Sequence, residues 1–137
     1  GNGIMDGQGY DFVFYEWWNP DPAPTGSIRL DLIMIELSEN LATWYEVFNW
    51  GDGYNSPMDD STNITAFSND ADGEVDNEII TPTLLYGTPP NPPNPSGILV
   101  DINFLTDPPN AQYRYVRLSC PVGGGDAAQI DGIERLH

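Results

Sequence analysis

The feature that most constrains this chain is the rhythm of its apolar residues, which come in short runs alternating with polar ones. No run keeps a 3.6-residue period with caps. Residues 10–17 are rich in aromatic and β-branched side chains, with Tyr10, Phe12 and Phe14 on one face by period two. Residues 28–37 continue the pattern: Ile28, Leu30, Leu32 and Met34 share a face, and Arg29 and Asp31 begin the other. Residues 43–50, 63–67, 78–86, 98–104, 112–120 and 127–136 complete a set of about eight strand candidates, each bounded by Gly, Pro, Asn or Asp. Residues 38–41 read as a turn. The expected fold class is all-β and antiparallel.

At 137 residues the chain suits one domain spanning residues 1–137. A domain of that size buries roughly two-thirds of its unfolded surface, enough to fold without a disulfide framework. Two proline-rich stretches, residues 19–26 and 87–97, are expected to be stiff loops that also discourage edge-to-edge strand pairing. Residues 51–62 form a polar, acidic loop. Glycine-rich residues 1–9 read as a flexible or strand-donating segment. The first methionine is Met5, so the sequence is expected to be a processed or excised piece from which any signal peptide has gone. No apolar stretch approaches the roughly 18 residues of a membrane span.

Charge excludes several functions. The chain carries 4 basic and 21 acidic residues, a formal net charge of -17. Such a chain is repelled by nucleic acid phosphates and by anionic membranes, so nucleic acid is excluded as a partner. The basic residues are Arg29, Arg114, Arg117 and Arg135; without lysine there is no Schiff-base chemistry and no phosphate-binding lysine. The single histidine is the final residue, His137, where a mobile terminus is expected, so a Ser-His-Asp or Cys-His set has no firm base. Pairs of carboxylates at glycosidase separations will arise by chance among so many acids. The chain is expected not to be an enzyme. Cys120 is the only cysteine; it reads as a small buried hydrophobe at a strand end, with an intermolecular bridge as the alternative.

Three motifs bring a family into view. Residues 9–16 read GYDFVFYE, residues 35–48 read IELSENLATWYEVF, and the end reads YRYVRLSCPVGGGDAAQIDGIERL. Together they resemble the galactose-binding-like, discoidin-type jelly rolls of prokaryotic extracellular surface proteins. In those modules an E-L-S strand leads through a turn into W-x-x-V, a Y-V-R-L strand follows late, and a D-x-x-x-I-D-x-I strand closes the fold. Asn40-Leu41 stands where their turn has Asp-Gly, and the proline-rich loops depart from the pattern. The resemblance implies an eight-stranded antiparallel β-sandwich of jelly-roll type, frequent bound calcium, an extracellular or cell-surface location, and roles in glycan binding, adhesion or assembly.

The carboxylates suit calcium, which takes six to eight hard oxygen ligands in flexible geometry. Asp70, Asp72, Glu74 and Asp76 alternate around Gly73 and would repel one another without a cation between them; a solvated acidic hairpin loop is the alternative. The spacing is not that of an EF-hand, because the glycine comes at the fourth position instead of the sixth. A second set joins the chain's ends: Asp6, Asp11 and Glu16 with Asp126 and Asp131. Here the resemblance implies a calcium tying an early loop to the closing strand. Glu16 and Asp131 have an alternative as buried partners of Arg117 or Arg114. Asp52, Asp59 and Asp60 read as solvated surface.

Two functions remain. One is assembly or adhesion at the cell surface, with copies of the same chain or other surface proteins as partners, through calcium and strand edges. The other is glycan binding, with Trp17, Trp18, Trp50 or Tyr54 stacking on sugar faces; a Trp buried under a proline-rich loop competes with that role. Asn63-Ile64-Thr65 is a glycosylation sequon compatible with export.

Overall fold

A computed structural model describes residues 3–16, 28–50, 61–64, 78–80, 85–87, 96–106, 111–120 and 129–137. The elements in chain order are β1 (Phe12–Glu16), β2 (Ile28–Leu30), β3 (Ile33–Ser38), β4 (Tyr45–Trp50), β5 (Glu78–Ile80), β6 (Gly97–Val100), β7 (Tyr115–Ser119) and β8 (Ile130–Arg135). They form two three-stranded antiparallel sheets, ordered β6-β1-β8 and β4-β3-β7, and a short antiparallel ladder of β2 with β5. The fold is all-β, and no α-helix occurs among the described residues.

The two larger sheets share one hydrophobic core. Phe12 and Phe14 of β1 are fully buried, as are Ile35 and Leu37 of β3. Phe14 packs edge-to-face on Phe48 of β4, with centroids 4.8 Å apart and planes at 64°. Ile98 and Val100 of β6 flank Phe14 and Phe12 in register and join the same core. This sandwich-like packing is the main source of stability, since each large apolar side chain so buried contributes roughly 1.5–3 kcal/mol.

The expected single strand over residues 28–37 is two strands. The chain leaves regular pairing at Asp31 and Leu32, and the alternation restarts one step out of phase. Ile33, Ile35 and Leu37 therefore face the core, while Met34 stands half-buried between Asn49 and Ser119. A break of this kind turns every later side chain to the opposite face. Glu36 follows on the outer side, where Arg117 of β7 grips it with two hydrogen bonds, Nε to Oε2 and Nη2 to Oε1, each 2.5 Å. The guanidinium also lies 4.4 Å above the Trp44 ring. The hydrogen bonds to the Glu36 carboxylate raise the Arg117 pKa. Arg117 thus pairs with Glu36, and not with Glu16 or Asp131, which the alternative to calcium names as partners.

Residues 38–41 do form a turn between β3 and β4. Ser38 Oγ accepts the N–H groups of Asn40 and Leu41, and Asn40 Oδ1 accepts those of Ala42 and Thr43. Leu41 pays a conformational cost here, with φ at 66° and its side chain 57% exposed. A non-glycine residue in the left-handed region carries strain of about 1–2 kcal/mol. Leu41→Gly is expected to stabilise the protein by about 1 kcal/mol, part of the relief being lost to the freer unfolded chain. A higher denaturant midpoint at unchanged slope would show it; a lower midpoint would refute it.

Candidate metal centre

The candidate site is built at the entry to β1. The ladder of β1 with β6 ends at Phe12 opposite Val100, and Asp11 and Asp101 are the residues that flank that last pair. Asp11 is fully buried and holds four segments together. Its Oδ1 accepts the Gly7 N–H at 2.7 Å and its Oδ2 accepts the Ile102 N–H at 2.8 Å. Its own N–H donates to Val100 and its carbonyl accepts from Leu136, both at 2.9 Å. The loop before it needs two glycines. Gly9 has φ at 86°, and a Cβ at Gly7 would lie 2.6 Å from Cδ2 of His137. His137 therefore rests against this loop, contrary to the frayed end expected.

Asp101 closes the other side. Its N–H donates to Ser61, while Oδ1 accepts the Asn103 N–H at 2.9 Å and Oδ2 accepts Asn103 Nδ2 at 3.2 Å. Asp6 reaches in from the exposed loop, and one carboxylate oxygen from each of Asp6, Asp11 and Asp101 lies within 4.8 Å of the others. Burial pushes the Asp11 carboxyl above its usual value of 3.8; the bonds from Ile102 and Gly7 oppose this, and the negative charges of Asp101 and Asp6 add to it. Like charges held this close repel one another. These residues fit a hard divalent cation: three carboxylates converge, and the exposed Asp6 side leaves room for water ligands.

The expected end-to-end set is divided. Asp6 and Asp11 come together, but Glu16 and Asp131 do not join them. Glu16 lies five residues beyond Asp11, about 16 Å along an extended strand and on the opposite face by parity. Glu16 is buried, with Oε1 accepting the Gln129 N–H at 3.1 Å. Asp131 is exposed on β8, at the bulge where the register slips between Tyr15 and Glu16. Asp101 replaces them. Its sequence signal was slight: an acid directly after a strand is visible, but its place near Asp11 needs the register of β1 with β6.

Asp70, Asp72, Glu74, Asp76 and Asp126 lie outside the described residues, as do Trp17, Trp18 and Tyr54. Trp50 is 1% exposed, paired with Ile33 in the core, so it offers no ring face to a sugar. Asn63 Oδ1 accepts the Leu99 N–H at 2.9 Å, fastening the sequon to β6. Cys120 is exposed just past β7 instead of buried, because β7 is an edge strand. Ile4 is buried and forms an antiparallel bridge with Tyr113, so this part of the N-terminal segment packs on its own domain.

Fold and cluster together define an all-β, sandwich-like domain with a carboxylate triplet at the head of a central strand. No protein-family profile, curated protein or solved structure matches the chain. Among the described residues no helix is long and apolar enough to cross a membrane.

Proposed function

We propose that this chain is a non-catalytic, extracellular, calcium-binding β-sandwich module of the galactose-binding-like jelly-roll type, acting in cell-surface or filament assembly and adhesion. The observation that carries the calcium reading is the convergence of Asp6, Asp11 and Asp101, one of them fully buried, in a chain of net charge -17. Each divalent ion offsets two of those charges and turns a repulsive triplet into a ligand set. A calcium here fastens the loop before β1 to the segment after β6. Weak sites, with dissociation constants of about 10⁻⁴–10⁻³ M, suffice outside cells.

The test is thermal melting with calcium and with a chelator. Calcium at about 100 times its dissociation constant contributes roughly 2.7 kcal/mol. For a domain of this size that corresponds to a rise in Tm of about 10 °C. Asp101→Asn is expected to remove most of the rise. Superimposable melting curves in calcium and in chelator would end the calcium reading.

A further inference from the structure

We infer that the outer face of the β6-β1-β8 sheet binds a neutral oligosaccharide, which lies across Gly132 and stacks on Tyr15 and Tyr86. Such a site needs neither calcium nor assembly, and it falls on none of Trp17, Trp18, Trp50 and Tyr54.

Phe12 and Phe14 face the core, so by alternation Tyr15 faces outward. Residues directly opposite in an antiparallel ladder share a face. Tyr15 stands opposite Gly97 of β6 on one side and Gly132 of β8 on the other. Gly97 in turn bridges to Tyr86. One row across the sheet therefore reads Tyr86, Gly97, Tyr15, Gly132. It spans roughly 14 Å, three interstrand spacings, which suits an oligosaccharide better than a single sugar.

The two glycines have different reasons. At Gly97 a Cβ would lie 2.7 Å from the Tyr86 carbonyl oxygen and 2.9 Å from Cε1 of Tyr15, so the fold itself requires glycine. The Tyr15 ring comes down beside it, and its hydroxyl donates to Glu134 Oε2 at 2.5 Å. Burial and this bond raise the Tyr15 pKa, so the hydroxyl stays protonated and keeps donating. A ring held at both edges loses little freedom when a ligand meets it. Gly132 has no such packing reason. A Cβ there would meet nothing within 4 Å among the described residues, and its φ is not left-handed. The neighbouring bulge leaves Asp131 unpaired, while Gly132 pairs regularly with Tyr15. Glycine inside a strand is destabilising relative to alanine, and it often marks where a ligand approaches the backbone.

The groups around this open floor name the ligand. Tyr86 is 42% exposed and Tyr15 half-buried. Aromatic rings with a few polar groups at the margin are the usual lining of a ligand site, and tyrosine rings stack on the apolar face of a pyranose. Glu134 is exposed, and among the described residues its carboxylate accepts only the Tyr15 hydroxyl, through Oε2. Oε1 is left to accept from a sugar hydroxyl. A proline-rich peptide, poor in N–H groups, has little to donate to it. The net charge of -17 repels acidic glycans, which leaves neutral ones.

The experiment is affinity electrophoresis through neutral glucan, xylan, mannan, galactan and chitin-derived polymers, then calorimetry with the matching oligosaccharides at low and high salt. At least one is expected to bind, with an affinity that salt does not change, because the ligand is uncharged. Tyr86→Ala is expected to weaken binding about tenfold or more. Gly132→Val is expected to abolish it while melting at or above the wild-type temperature, since the added side chain enters open space and valine suits a strand. Binding that survives both substitutions would overturn the site, as would a wild-type chain that binds none of these glycans. A salt-sensitive affinity for basic peptides in their place would overturn the ligand class. Gly132→Val melting well below the wild type would show that the fold needs this glycine, and would overturn the floor as a ligand surface.

Discussion

Asp11→Ala is expected to destabilise the protein by about 2–4 kcal/mol even without calcium. The substitution leaves the N–H groups of Gly7 and Ile102 without their acceptor; the buried Ile102 donor so orphaned costs roughly 1–3 kcal/mol, and the part-buried bond from the exposed Gly7 adds less. Relief of the repulsion from Asp6 and Asp101 offsets part of that loss. Asp11→Asn should cost less, because one amide oxygen can still accept, but it should abolish the calcium-dependent rise in Tm. The pH dependence separates the two roles. Burial raises the folded pKa of Asp11 above 3.8, so within that window the folded state binds the proton more tightly than the unfolded state. This group's contribution to metal-free stability therefore grows as pH falls through the raised pKa and is complete below 3.8. Calcium needs the carboxylate deprotonated, so its added stability is lost over the same descent. Denaturant titrations at several pH values, with calcium and with chelator, give both slopes. An Asp11→Ala chain unfolding at the wild-type midpoint in chelator would dismiss the hub role.

Phe14→Ala is the other large effect, expected at about 3–5 kcal/mol. Phe14 is fully buried on the central strand of one sheet and packs on Phe48 of the other, so truncation opens a cavity between the sheets. The extended strands on either side cannot close it. Leu118→Ala, equally a core-facing position by strand parity, is expected to cost less than about 1 kcal/mol because it is already 43% exposed. A double-mutant cycle between Phe14 and Phe48 should show coupling of about 0.5–1.5 kcal/mol. Additivity of the two truncations would mean that the sheets do not meet where these rings place them.

Much of the strand layout was legible locally. The turn at residues 38–41 followed from its polar residues, although the left-handed φ fell on Leu41 instead of a glycine. Strand faces were less legible, because periodicity carries no record of where it is interrupted. Residues 28–37 look continuous, yet the break at Asp31 and Leu32 sends Met34 outward and Ile33, Ile35 and Leu37 inward. Trp50 looked available to a sugar because it borders a polar loop, whereas pairing with Ile33 puts it in the core. The Glu36–Arg117 pair and the exposure of Val116 and Leu118 depend on β7 lying beside β3 at the edge, which nothing in the YVRLS run states.

The sequence by itself determined the chemistry available: alternation that makes strands, an excess of acids, no lysine, and a lone histidine at the last position. It also determined that Asp6 and Asp11 lie close along the chain. Only the tertiary structure decided that Asp101 meets them and that Glu16 and Asp131 do not. The reason is geometric. Side chains alternate along a strand by local sterics, so any short segment reveals its own two faces. Which distant carboxylate comes near depends on the register between β1 and β6, which is fixed by packing Phe12 and Phe14 with Val100 and Ile98 across a long stretch of intervening chain.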